Sequence, residues 1–258
     1  MGALMRRRFL VTATAVIALL AAVGVACGGG DGEEAAQSPA APTAGATATP
    51  AAGGTGTPAA SATAIPEDVQ EQLKSMVLQL GDVPAGFSRA DESFSSNEDI
   101  AGAGDDAAEV LAKLTEWGRI AGHGVVFSPE SSDQGGVLIV DSTVSLYEND
   151  TGASASFTDA VNTARTTDWA ASAGEASDVS VEEIPALDIA DEMFWLRLSG
   201  TAMIGDPATE QPFIQDVVLL RVGRVRGSVS IVSSATDVAL AVENMIRTQA
   251  ANMEAGLE

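Results

Sequence analysis

Residues 218–232 read VLLRVGRVRGSVSIV, and this stretch contains the pattern that decides the fold. Two apolar runs flank Gly223-Arg224, and a two-residue connection that contains glycine is typical of a β-hairpin. With the turn at this position, Arg221 lies directly across from Arg226 on the neighbouring strand. The stretch therefore predicts two consecutive antiparallel strands.

The spacing of apolar residues predicts further strands and helices on both sides of this hairpin. A period of two indicates a strand, and a spacing of three to four indicates a helix. Strands are predicted at residues 124–127, 137–147, 179–184, 193–204, 213–222 and 225–232, and helices at residues 66–80, 107–117, 157–164 and 237–255. The polar residues 87–104 are predicted to form a loop.

This order of elements predicts an α+β domain over residues 66–258, long enough for a single core. Consecutive strands joined by short connections favour an antiparallel sheet. We expect about five or six strands, with the helices packed on one face.

The amino-terminal residues predict export. Arg6, Arg7 and Arg8 precede a run without charge at residues 9–26, as in a secretory signal peptide. The run is just long enough for a retained transmembrane anchor, which is the alternative.

Cys27, the only cysteine in the chain, follows this run directly. With Val25 and Ala26 before it, the segment resembles the signal of bacterial lipoproteins, in which the thiol receives a diacylglycerol and the chain is cleaved before the cysteine. The resemblance implies a signal peptide at residues 1–26 and a lipid on Cys27. More than one acyl chain gives stable membrane attachment. We therefore expect the chain to lie on the extracytoplasmic face of a cell membrane.

Residues 27–65 are rich in Ala, Gly, Thr and Pro and contain no Lys, Arg or aromatic residue. Such a composition buries too little apolar surface to offset the entropy of ordering. It predicts a disordered linker that spans about 30–40 Å.

The charge of the chain excludes one class of partner. The chain has 13 basic and 36 acidic residues, a formal net charge of −23 at pH 7. Affinity for phosphate backbones comes from clustered Lys and Arg. Nucleic acid is therefore not expected as a partner.

Three short stretches have a family resemblance. They are GDVPAGF at residues 81–87, WGRIAGH at residues 117–123 and the hairpin at residues 218–232, which precedes the last helix. With the preceding linker, they resemble actinobacterial-type secreted lipoproteins. More distantly, they resemble the extracellular sensor domain of mycobacterial serine/threonine kinases and related Mog1/PsbP-like lipoproteins. The resemblance implies a non-enzymatic, extracytoplasmic binding or sensing module.

The sequence predicts no catalytic residue, metal site or cofactor. His123 is the only histidine, no Gly-x-Ser-x-Gly motif accompanies it, and one imidazole does not make a zinc site. We expect a partly exposed histidine where a loop enters a strand. Asp150-Thr151-Gly152-Ala153-Ser154 matches a short aspartic-protease signature, but that mechanism requires a second aspartate. Asp150 or Thr151 is better explained as a helix N-cap.

Basic residues concentrate near the hairpin, in strands that also contain Trp195. They are Arg197, Arg221, Arg224 and Arg226. Guanidinium groups favour planar carboxylate or phosphate partners. Either neighbouring Asp and Glu residues supply these partners, or the face is a docking site for an anion or a protein.

Three functions remain open from the sequence. The domain docks a protein or envelope polymer, or it carries a lipid or small hydrophobic ligand in an internal cavity, or it is a carboxylate-based hydrolase. A large internal apolar pocket would favour the carrier, a filled core would favour docking, and two convergent acids in a cleft would favour the hydrolase.

Overall fold

The computed structural model describes residues 64–104, 106–131, 136–174, 176–204, 209–234 and 238–258. The predicted signal peptide at 1–26, the predicted lipid attachment at Cys27 and all but the last two residues of the predicted linker lie outside the described residues.

The described residues form six helices and seven strands. In order they are α1 (Glu67–Met76), β1 (Phe87–Ser95), α2 (Asn97–Gly102), α3 (Ala107–Glu116), β2 (Arg119–Pro129), β3 (Val137–Tyr147), α4 (Asp150–Thr166), α5 (Trp169–Ser172), β4 (Ser177–Ile184), β5 (Glu192–Ile204), β6 (Thr209–Val222), β7 (Val225–Ser233) and α6 (Ala239–Ala255).

The strands form one antiparallel sheet in the order β1-β2-β3-β7-β6-β5-β4. The α+β class is therefore confirmed, but the described residues form seven strands instead of five or six. The predicted hairpin is present, with Gly223 at φ 53° and Arg221 paired with Arg226. A positive φ at this turn explains the glycine, which carries no Cβ.

The seventh strand is β1, which the sequence predicted as part of a loop. Its residues read FSRADESFS, and only Phe87 among them is buried. As an edge strand, β1 packs little of its surface and has no alternating apolar face. Its hydrogen bonds with β2 hold it in the sheet. The same predicted loop also contains α2, where Ser96 and Asp99 form a capping box.

Helices pack on both faces of the sheet, so the expectation of helices on one face was wrong. Along β6, Val218 and Leu220 belong to the core beneath α1 and α6, whereas Val217 and Leu219 pack with α4 and α5. Successive residues of a strand point to opposite faces. We call these two sides the α6 face and the α4 face. Lys113 Nζ lies 3.3 Å from Asp159 Oδ1, which places α3 beside α4 on the α4 face.

The core on the α6 face is filled and cross-linked by polar side chains. Ser142 Oγ on β3 accepts from the amide of Leu78 at 3.0 Å and donates to Gln249 Oε1 on α6 at 2.6 Å. Gln249 Nε2 in turn donates to Met76 O on α1 at 3.0 Å. Buried polar groups need partners of this kind. These bonds fix both helices relative to the sheet.

Within the part of the chain that the structure describes, no helix is long and apolar enough to cross a membrane.

Candidate functional site

Arg221 and Arg226 lie across from each other on the α4 face, as the hairpin register requires. The Arg221 guanidinium donates to the Glu192 carboxylate and, at 3.0 Å, to Asp191 Oδ2. Arg226 Nη1 donates to Ser156 Oγ on α4 at 2.9 Å. Like charges directly opposite destabilise a sheet unless other groups compensate them. Here two carboxylates and a hydroxyl provide that compensation.

Arg224 and Arg197 do not join this pair. Arg224, in the turn, donates to the backbone oxygen of Tyr147 at 3.2 Å. Arg197 is on the opposite face, where its Nε lies 2.9 Å from Asp216 Oδ1 and its guanidinium lies 5.8 Å from the ring centre of Trp195. The five residues singled out in the sequence are therefore divided between two faces, and the structure does not bring them into one site.

Asp216 anchors the group on the α6 face. Trp195 Nε1 donates to the same Oδ1 at 2.7 Å, and Asp216 is only 1% exposed. Its Oδ2 is buried and has no hydrogen-bond partner among the described residues. No sequence signal pointed to this carboxylate, because Gln215 and Asp216 form an ordinary two-residue polar interruption between Ile214 and Val217.

An open groove of about 960 Å³ lies on the α4 face, where α3, α4 and the end of β6 meet. We call it the α3–α4 groove. It is lined by Lys113, Glu116, Trp117, Asp150, Thr151, Ser154, Ala155, Thr158, Asp159, Asn162, Asp191 and Arg221.

The two helices of the groove are joined at its end by close backbone packing. The amide of Gly152 donates to Asn149 Oδ1 at 2.9 Å, so Asn149 is the N-cap of α4, one residue before the position we expected. A Cβ on Gly152 would overlap the carbonyl oxygen of Trp117. Only glycine lets α4 start this close to the end of α3. The match to a protease signature at residues 150–154 is therefore a helix start.

The groove combines an aromatic ring with groups of both charges. Trp117 is partly buried, and Lys113 Nζ lies 6.0 Å from its ring centre. Lys113 also contacts Asp159, and Arg221 contacts Asp191. Counting side chains, four carboxylates face two cations, a formal charge of −2. Hydroxyl and amide groups along α4 provide further hydrogen-bonding positions.

His123 lies in the middle of β2 and is 3% exposed, so the expectation of a partly exposed residue was wrong. Its Nε2 lies 3.1 Å from Glu92 Oε1, and its ring centre lies 4.5 Å from that of Phe94. Burial lowers the pKa of His123, although Glu92 acts in the opposite direction. The imidazole is therefore neutral near pH 7.

Asp141 on β3 is a second titratable group that the sequence did not single out. Burial, together with a smaller repulsion from Asp91, raises the pKa of Asp141 to about 6. Both aspartates lie across from Val126, one on each side of it. This pairing depends on β1, the strand that the sequence did not reveal.

Among the described residues, no group of three or more His, Cys, Asp or Glu side chains could hold a metal ion.

No family model and no curated protein matches this sequence. Among solved structures, the chain is similar to the extracellular domain of PknH from Mycobacterium tuberculosis. The TM-score is 0.46 at 10% sequence identity, and the similarity covers 72% of this chain and 95% of that domain.

Proposed function

We propose that this chain is a lipid-anchored extracytoplasmic module that docks a neutral envelope glycan in the α3–α4 groove. A signal peptide at residues 1–26, a lipid on Cys27 and a linker at residues 27–65 would attach the domain to the outer side of a membrane. The observation that carries the binding role is the groove itself, with the partly exposed Trp117 and polar groups on two helices around it.

The ligand class follows from the chemistry of the lining. A sugar ring has an apolar face that stacks on an aromatic ring and hydroxyl groups that both donate and accept. Trp117 supplies the ring, and the amide of Asn162 and the hydroxyl of Thr158 supply partners along α4. The formal charge of −2 in the groove, within a chain of net charge −23, repels polyanions.

The filled core supports docking over the carriage of a hydrophobic ligand. Phe127, Tyr147 and Ile246 are fully buried, and the α3–α4 groove is lined mainly by polar and charged residues. A pocket for a lipid would be concave and mostly apolar.

Two of the four groove acids are paired with cations, which supports binding over hydrolysis. Asp159 lies beside Lys113, and Asp191 lies beside Arg221. A carboxylate-based hydrolase needs two acids that converge on one bond. Each of these two carboxylates is instead paired with a cation, which holds it in place as a hydrogen-bond acceptor.

Tryptophan fluorescence tests the binding role directly. Trp169 and Trp195 are 5% and 7% exposed, so Trp117 is the tryptophan that a quencher in solution reaches most easily. Soluble N-acetylated chitin oligomers, as neutral glycan probes, should protect Trp117 from acrylamide quenching. Trp117→Phe should abolish this protection, whereas Trp169→Phe, which removes a buried ring of the same type, should keep it. Equal protection in both variants would contradict the proposed site.

A separate experiment tests the anchor. Metabolic labelling with a fatty acid should mark the full chain, and Cys27→Ser should remove the label and release the protein from membranes. An unlabelled wild-type chain would contradict lipidation without affecting the groove. The two parts of the proposal therefore fail independently.

A further inference from the structure

A second cavity lies on the α6 face, opposite the α3–α4 groove. It has a volume of about 290 Å³ and is more enclosed than the groove. We call it the His123 pocket. It is lined by Lys74, Val77, Gln79, Arg89, Glu92, His123 and Val125.

The buried histidine in this pocket has one nitrogen without a partner. Because the Glu92 carboxylate only accepts, its contact with Nε2 places the proton of the neutral ring on that nitrogen. Nδ1 is then an acceptor. It is buried and has no hydrogen-bond partner within the described ranges. A buried acceptor without a partner is costly, so Nδ1 is a position where a ligand hydroxyl would gain a full hydrogen bond.

The charges around the ring favour an anion. Lys74 from α1 and Arg89 from β1 line the pocket, and Glu92, which contacts Arg89, is its single acid. With a neutral His123, the formal charge of the lining is +1, whereas the whole chain is at −23. A positively charged pocket on such an acidic protein attracts an anion that the rest of the surface repels.

The end of α1 does not oppose this charge. The carboxyl end of a helix has negative character because its last carbonyl groups lack helical partners. Here Gln79 Nε2 donates to Lys74 O at 2.9 Å and to Val77 O at 3.0 Å. Asn252 Nδ2 also donates to Val77 O, at 3.2 Å. These amides therefore satisfy two carbonyl groups at this end of α1, those of Lys74 and Val77.

We propose that the His123 pocket binds a small oxyanion that still carries a hydroxyl group, the class represented by hydrogen phosphate and by singly ionised phosphate monoesters. The hydroxyl donates to Nδ1 of His123, and the charged oxygens accept from Lys74 and Arg89. The proposal does not depend on the glycan groove, because none of the groove's lining residues takes part in it.

The comparison of phosphate with sulfate gives the sharpest test. Both are tetrahedral anions of similar size, but near neutral pH only phosphate carries a hydroxyl. Because a site that hydrogen-bonds a ligand hydroxyl rejects analogues without one, we expect phosphate to bind at least about tenfold more tightly than sulfate. His123 is the only histidine, so its ring ¹⁵N resonances in the full chain report binding without ambiguity.

Two variants separate the roles of the ring and the charge. His123→Phe should remove the preference for phosphate over sulfate. Lys74→Gln should weaken both anions by about tenfold and leave the preference intact. Lys113→Gln removes the same charge on the opposite face and serves as the matched control, with unchanged phosphate affinity. Circular dichroism of each variant establishes that it is folded.

Several outcomes would overturn the proposal. They are the absence of a saturable ¹⁵N shift with inorganic phosphate, equal affinity for sulfate, and an unchanged preference in His123→Phe. Glycerol 3-phosphate, compared with inorganic phosphate at about pH 5.5, where the ester keeps one phosphate proton, distinguishes the two sources of this chemistry. Tighter binding of the ester than of inorganic phosphate supports a headgroup or metabolite ester, and the reverse supports free phosphate.

Discussion

Replacing Asp141 by asparagine should stabilise the protein at neutral pH and change its stability little in acid. The carboxyl lies on the α4 face beside Val126, and burial, together with a smaller repulsion from Asp91, raises its pKa from 3.8 to about 6. The ionised form is therefore less stable in the folded protein than in the unfolded chain. Asparagine has a similar shape and no charge, so it avoids this cost.

The size and sign of this change in stability follow from the shift in the pKa of Asp141. Between about pH 4 and pH 6 the folded protein holds a proton on Asp141 that the unfolded chain has lost, so wild-type stability falls as the pH rises. A shift of about two pH units corresponds to about 3 kcal/mol, and this penalty is fully present above the folded pKa. The advantage of Asp141→Asn should thus grow from near zero at about pH 3.5 to about 2–3 kcal/mol at pH 7.

Urea unfolding of the full chain at several pH values measures this difference. Asp188→Asn makes the same substitution at a solvent-exposed position, on the loop before β5, and serves as the control. The stability gap of Asp141→Asn over wild type should widen with pH, and that of Asp188→Asn should stay constant. A gap for Asp141→Asn that does not depend on pH, or a variant less stable than wild type at pH 7, would refute the reasoning.

Three further substitutions have expected effects on the stability of the fold, each measurable by urea unfolding. Gly152→Ala should destabilise the protein by about 3 kcal/mol, because its methyl group overlaps the Trp117 carbonyl, and a smaller loss would show that α4 shifts freely. Arg221→Gln should cost about 1 kcal/mol, since Asp191 and Glu192 lose the cation they share, and a variant more stable than wild type would show that repulsion between Arg221 and Arg226 outweighs these contacts. Ser96→Ala should cost about 1 kcal/mol as the cap of α2 is lost, whereas Ser96→Asp, which can still cap, should not.

Sequence patterns predicted the parts of the fold that depend on residues close together in the chain. The β6–β7 hairpin and its register follow from one turn and two apolar runs, and the structure has both. In contrast, β1 is held in place by its hydrogen bonds with β2 and not by a buried apolar face. Its sequence therefore shows no apolar alternation. A strand defined by its neighbour leaves little trace in its own sequence.

The two-sided packing had a signal in the sequence that the single-face expectation overlooked. Residues 217–220 read VVLL, a continuous apolar run without alternation. Such a run is typical of a strand that is covered on both faces. In the structure, alternate residues of this run pack under α6 and under α4. The run therefore predicts helices on both sides.

The sequence could not predict how the four arginines are grouped, because their grouping depends on the register between strands. Arg221 and Arg226 could be paired from the turn alone. Placing Arg197 relative to them requires the register between β5 and β6, in which Arg197 pairs with Asp216 and shares its face with Val218. Closeness in the sequence does not show which face of the sheet a side chain lies on. The groove residues come from α3, α4 and two strand ends, so only the tertiary fold reveals them.

The placement of the two proposed sites on opposite faces makes their tests independent. Coupling between ligands requires an element with two arrangements that both ligands bias. The sheet between the groove and the His123 pocket is closely packed beside the histidine: Phe127 on the same strand and Val144, which pairs with His123, are 0% and 2% exposed. A packed core of this kind resists a second arrangement. Phosphate affinity should therefore be the same with and without a saturating chitin oligomer, and a change in either direction would mean that the β2–β3 pair moves when the groove is filled.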